Sequence, residues 1–280
     1  TELSLPDTLT LEDKWILSKL NTLTQAVTDN LEKFELGMAV QKLYDFIWDV
    51  FCDWYIELTK PVLYGEDNEK CLNTVSVLVY VLTEILKLLH PFIPFITEKI
   101  YKEIPNANGT IMLQDFPRYN TKLNYSTAVK EIEPVKEIIK SIRNIKVSVS
   151  AAPSKKVSLF IVTDNKKTVK DCAIYIQKLA GVDKIEFIEN KEALTEKTIS
   201  QIIEGYEIYI PLGELVDVKV EIEYLSDKEL LVKYDNVKSV TPGQLCVLYD
   251  GERCLGSGIV KEVRKDNKKR VKIIGIFFYK

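Results

Sequence analysis

The sequence predicts a multidomain α+β protein: an antiparallel helical bundle, then a small α/β module, then a C-terminal β-barrel. Three observations predict this. Apolar residues recur at spacings of three and four as far as about residue 125, short strand-like runs then alternate with helical ones, and after Leu215 helical spacing gives way to simple alternation. Charge divides along the same line, residues 1–125 holding 11 basic and 18 acidic residues and residues 126–280 holding 27 and 23. At 280 residues, 46% hydrophobic and 28% charged, the chain has the composition of a globular protein of two or three domains, placed here at 1–125, 126–218 and 219–280.

Thr10-Leu-Glu-Asp13 reads as a capping box, and Ile16, Leu20, Leu23, Val27, Leu31 and Phe34 then share one face of a long first helix. A second helix is expected from Gly37 to Lys60, stopped by Pro61, with an apolar stripe of Leu43, Phe46, Ile47, Val50, Phe51, Trp54 and Leu58. Tyr44, Trp48, Cys52 and Tyr55 widen that stripe, so this helix is expected to be central and buried on most of its circumference. A third runs from about Glu69 to Leu89, and a Pro-punctuated fourth from His90 to Ile104. The module follows as a charged helix (Ala128 to Lys146), a strand (Val157 to Val162), a helix (Lys166 to Ala180), a strand (Lys184 to Ile188), a helix (Glu192 to Ile203) and a strand (Tyr206 to Ile210). Turn signals at Asp235-Asn236, Thr241-Pro242-Gly243 and Asp250-Gly251 divide the remaining alternating run into the strands of a barrel or sandwich.

Several chemistries are excluded. A net charge of -3 means that attraction to a polyanion must come from local patches. The single histidine, His90, stands before Pro91 in an apolar segment and reads as a helix-ending residue at the core edge rather than a catalytic base. Paired-histidine zinc sites are ruled out, and Cys52, Cys71, Cys172, Cys246 and Cys254 never approach CxxC spacing. Neither a P-loop nor a GxGxxG fingerprint occurs, and Gly256-Ser257-Gly258 reads as a close approach between strands. No cofactor and no metal are expected. The apolar run from Thr74 to Pro94 is interrupted by Glu84, Lys87 and His90, and no basic-then-apolar leader opens the chain, so a cytoplasmic protein with no membrane partner is expected.

The blocks DKWILSKLN from Asp13, FIWDVFCDWYIELTKP from Phe46 and LLHPFIPFITEKIY from Leu88 resemble, in order and spacing, the anticodon-binding bundle of valyl-tRNA synthetase. SIRNIKVSVSAAPSKKV from Ser141 and YIPLGELVDV from Tyr209 are similar to the segments that follow it, so the resemblance covers about residues 5–218. The HxGH and KMSKS elements of that family's active site are absent from this chain, which implies that it does not aminoacylate alone. VTPGQLCVLYDGERCLGSGIV, from Val240 to Val260, resembles instead the C-terminal β-barrel of tRNA-specific 2-thiouridylases, with Ser257 in place of a glycine. That family's nucleotide-binding loop and catalytic cysteine pair are likewise missing.

The combined resemblance implies a non-catalytic portion that binds tRNA, valine-type by family, and positions it for aminoacylation. The alternatives are an accessory part of a thiouridylase and a scaffold for a separate catalytic subunit. Phe34, Glu35 and Leu36 lie where the chain reverses at Gly37, a corner that faces the anticodon in the resembling family, although Phe34 also completes the first helix's stripe. Arg143, Lys146, Lys155 and Lys156 could neutralise tRNA phosphates or form a plain solvated surface. Trp48, Trp54 and Tyr55 could stack on bases, but their spacing favours core packing. Asp45, Asp49, Asp53 and Glu57 read as a solvated or Lys-paired row that repels phosphate. Lys261, Arg264, Lys265, Lys268, Lys269 and Arg270 read as a charged loop guarding a sticky strand, and Cys246 and Cys254 as small buried strand residues.

Overall fold

A computed structural model describes residues 5–211, apart from 106, 108, 150, 191, 193 and 195–197, together with strands between residues 220 and 277. The chain falls into two compact units, Thr1–Leu215 and Val216–Lys280.

Helix α1 (Leu11–Glu32) begins with the expected capping box: Thr10 Oγ1 accepts from the Asp13 N–H, and Asp13 Oδ2 accepts from the Thr10 N–H, each at 3.2 Å. The predicted second helix has three parts, α2 (Leu36–Asp45), a π-helical stretch (Phe46–Tyr55) and α3 (Ile56–Leu63). The π-helical turns close five residues back, as where the Ile56 N–H reaches the Phe51 carbonyl. Contrary to the expectation from sequence, Pro61 does not stop the helix. It sits in the last turns of α3, where its missing N–H removes one bond and the chain stays helical to Leu63. Burial of the second helix is also narrower than expected, because Leu43, Phe46, Phe51, Trp54, Tyr55 and Leu58 enter the core while Tyr44 and Trp48 face solvent.

Asp67 caps α4 (Asn68–Leu89) by accepting from the Lys70 N–H, and α5 (Pro94–Glu103) starts on Pro94. Among the described residues, α4 alone is long and apolar enough to cross a membrane by length and composition, but its Val77, Val81, Ile85 and Leu88 pack into the bundle. Asn21 and Asn120 exchange hydrogen bonds of 2.9 and 2.8 Å, which pin the connection leading to α6 (Ser126–Ser148) against α1.

The module's sheet has the order β2-β1-β4-β3, formed by β1 (Val157–Val162), β2 (Val182–Phe187), β3 (Thr198–Ile203) and β4 (Tyr206–Pro211). β1 and β2 are parallel, connected by α7 (Lys166–Asp171) and α8 (Ala173–Ala180), and the other pairs are antiparallel. The helix expected from Glu192 to Ile203 is not formed over its second half. Residues 198–203 are strand β3, because Ile199, Ile202 and Ile203 satisfy either period and the turn at Glu204-Gly205 folds this β-branched run back onto β4.

One apolar cluster runs from Trp15 and Leu43 in the helices through Ile138 and Ile142 of α6 to Leu159, Ile176 and Ile208 of the module, so residue 126 does not interrupt the core. Polar bonds follow the same seam. Tyr55 donates to Asp13 Oδ1 at 2.7 Å, and Glu133 collects the Trp15 indole N–H at 3.0 Å and the Lys19 ammonium at 2.6 Å.

In the second unit, β5 (Val220–Ser226) and β6 (Glu229–Tyr234) form an antiparallel pair. β7 (Leu245–Asp250), β8 (Arg253–Ile259) and β9 (Ile276–Phe277) form a three-stranded antiparallel sheet. Gly256-Ser257-Gly258 lies on the central strand of that sheet. Closure of a barrel, the burial of Cys246 and Cys254 and the whole basic run from Lys261 to Arg270 lie outside the described residues.

Candidate nucleic-acid interface

Helix α1 ends in a Schellman turn: the Phe34 N–H donates to the Leu31 carbonyl at 3.0 Å, and the Glu35 N–H to the Asn30 carbonyl at 2.8 Å. The left-handed residue of this motif is usually glycine, and here it is Phe34, with φ +60°. An aromatic side chain in that conformation costs about 1–2 kcal/mol. Phe34 gains no burial in return, because it is 88% exposed. It therefore does not complete the apolar stripe of α1; the positive φ swings its ring away from the core. Glu35 is held by the Asn30 side-chain amide at 3.1 Å, and Leu36 and Met38 are exposed beside it.

The antiparallel path of α1, α2 to α3, and α4 returns the chain to this end of the bundle at the α4–α5 corner. Phe95 is 91% exposed there, with Ile93 and Ile96 exposed on either side. Sequence reasoning passed over Phe95, because HPFIPF reads as a core segment punctuated by prolines, and no signal in the residues marks its ring as outward. His90 occupies the inner side of the corner, half-buried, with Nδ1 2.8 Å from Thr97 Oγ1. This matches the core-edge reading.

The four candidate cations divide. Arg143 is exposed; its Nε donates to the Leu179 carbonyl at 3.0 Å, and its guanidinium lies 5.9 Å from the centre of the Trp54 ring. Lys156 is exposed and pairs with Asp183 at 3.3 Å, while Lys155 is half-buried. Lys146 is not available to phosphate: it is 2% exposed, and its ammonium donates to the carbonyls of Lys155, Ala180 and Gly181 at 2.5, 2.7 and 3.2 Å. Burial pushes that ammonium below the ordinary lysine range. Its site depends on Gly181, at φ +63°, where an added Cβ would lie 2.8 Å from Lys146 Nζ.

The corner and the cations lie at different ends of α1. Ser18 bonds at the start of α6 and Trp15 bonds to Glu133 about two turns further along it, so α6 runs antiparallel to α1 and carries Arg143 beyond the N-terminus of α1. Phe34 follows the other end of this 22-residue helix, which at about 1.5 Å per residue is roughly 33 Å long.

Of the aromatic residues weighed for stacking, Trp54 and Tyr55 are buried, as expected, and Trp48 is not. Lys136 covers Trp15 and Trp54 at 4.8 and 5.3 Å from their ring centres. Asp45, Asp49 and Asp53 are solvated and Glu57 pairs with Lys60 at 2.5 Å, both within the expectation of a solvated or Lys-paired row.

The family described as the anticodon-binding domain of tRNA ligase matches residues 13–161. A second family, described as an aminomethyltransferase β-barrel domain, matches residues 214–260. The chain is 48% identical over 217 residues to a valine–tRNA ligase of Clostridium tetani, covering 77% of this chain and 25% of that one. The valine–tRNA ligases of Clostridium acetobutylicum and Streptococcus agalactiae are 44% and 40% identical, over 78% and 75% of this chain and 25% and 24% of theirs. The chain thus spans about a quarter of the length of these relatives. A match over more than half of its length places this chain in the family of anticodon-binding domains of tRNA ligases.

Proposed function

We propose that this chain is a non-catalytic, cytoplasmic tRNA-binding portion of a valine–tRNA ligase, holding the anticodon loop of a valine-type tRNA for aminoacylation by residues carried elsewhere. The observation that supports this most directly is the strained and exposed Phe34 at the α1–α2 corner, with Leu36 beside it and Phe95 at the same end of the bundle. Anticodon bases unstack easily and can lie on such apolar surfaces, each stack contributing about 1–3 kcal/mol. Arg143, Lys155 and Lys156 are too far from this corner to serve the same loop, so their role is to hold phosphates elsewhere on the tRNA. The relatives' identity as valine–tRNA ligases supports valine as the tRNA type.

The test is a binding titration of the full chain with a valine-type anticodon stem-loop and a scrambled-anticodon control. Leu36→Ala is expected to weaken the first by about 1 kcal/mol and leave the second nearly unchanged. Equal loss on both loops would show that the corner does not read the anticodon.

A further inference from the structure

Val40, Tyr44 and Trp48 stand one behind another on the solvent side of α2 and the π-helical stretch, with Tyr44 58% and Trp48 52% exposed and their ring centres 6.2 Å apart. Each of the last two is followed by an exposed carboxylate, and Asp53 extends that row by a further step. Because π-helical turns close five residues back, residues four apart stay nearly in line, and the stretch presents an aromatic ridge beside a carboxylate ridge. Gln41 bonds Asp45 at 2.6 Å, whereas Asp49 and Asp53 meet no cation among the described residues. Two half-exposed aromatic rings forfeit part of the stabilisation that their burial would bring.

We propose that this face seats a basic amphipathic helix from a protein partner, its apolar side on Val40, Tyr44 and Trp48 and its lysines or arginines against Asp45, Asp49 and Asp53. Charge complementarity selects this occupant. Aligned carboxylates repel nucleic-acid phosphates, and a two-fold pairing with a second copy would set the same carboxylates against each other. A helical partner carries cations at a spacing of four along one side, which matches the acidic row residue for residue, and apolar anchors at the same spacing meet the aromatic ridge. The ridge begins at Val40, one helical turn after Leu36 on α2, and the proposal does not rest on the anticodon reading of the corner.

The test uses the full chain and two labelled synthetic helices with leucines on one face, one carrying lysines and the other glutamates on the opposite face. The lysine helix is expected to bind with an affinity that falls with salt, and Trp48→Ala and the pair Asp49→Lys with Asp53→Lys are each expected to weaken it at least about tenfold. The charge-reversed chain is expected to prefer the glutamate helix, a gain that an unfolded variant could not produce. Thermal unfolding of Trp48→Ala separates lost docking from lost folding. Equal binding of both helices by the parent chain, unchanged affinity in the charge-reversed chain, displacement of the lysine helix by an anticodon stem-loop, or self-association abolished by Trp48→Ala would each overturn the proposal.

Discussion

Tyr175 donates its phenolic O–H to Glu12 Oε2 at 2.6 Å, joining the first turn of α1 to α8 across 163 positions of sequence. The other oxygen, Oε1, is buried without a hydrogen-bond partner, so the phenol is the main compensation for sinking this carboxylate. Tyr175→Phe removes the phenol bonded to Oε2 and is expected to cost about 1–3 kcal/mol in urea unfolding. Glu12→Gln combined with Tyr175→Phe should cost less than the two single changes added together, because they share the bond.

The buried Glu12 and the half-buried Glu133 respond oppositely to pH. Burial raises the carboxyl of Glu12 above its ordinary 4.5, against the Tyr175 bond. Its contribution to stability is therefore complete below 4.5 and lost as pH rises through the folded value. Burial would raise Glu133 too, but hydrogen bonds from Lys19 and Trp15 and the charges of Lys136 and Lys19 outweigh it and hold the group at about 2. Its contribution is present above 4.5 and lost as pH falls toward 2. Melting temperatures measured across this range should show Glu12→Gln gaining on the parent as pH rises, and Glu133→Gln losing least at the acid end.

Lys146 and Lys156 should separate structure from RNA binding. Lys146→Met strands carbonyls at the end of α8 and is expected to cost about 1–3 kcal/mol of stability while leaving the salt slope of tRNA binding unchanged. Lys156→Ala removes only an exposed ion pair, worth about 0–1 kcal/mol. If Lys156 touches phosphate, its loss lowers the slope of log affinity against log salt by up to about 0.9.

Phe34→Gly should raise stability and weaken recognition together. Glycine accepts φ +60° without strain, so unfolding is expected to show a gain of about 0.5–1 kcal/mol after glycine's own entropic cost. In a binding titration the same variant should lose affinity for the valine-type anticodon loop. A gain in stability with unchanged binding would make the strain incidental.

The helical core was legible because Ile16, Leu20, Val27, Leu43 and Leu58 repeat at helical spacing over whole helices, which no strand period imitates. Tyr44 and Trp48 misled for the same reason: type and spacing say apolar face, and nothing in the residues marks a helix whose far side lacks a neighbour. The candidate corner was found by its place at a chain reversal, but Phe34's outward ring was hidden, since a backbone angle of that sign is anticipated at glycine and asparagine and not at phenylalanine. Lys146 looked like its basic neighbours, because the three carbonyls that bury it come from residues 9, 34 and 35 positions away. Residues 198–203 were ambiguous by composition and were decided by the partner strand.

The apolar seam shared by α1, α6 and the module sets the size of the smallest transplantable piece. A fragment ending at residue 125 would keep its helices but strip Trp15 of the Glu133 acceptor and Glu12 of the Tyr175 phenol, and would open to water the face of α1 that packs on α6. The portable cassette is therefore residues 5–211: a graft of the α1–α2 corner into a foreign host would have to carry along a sheet that never approaches it.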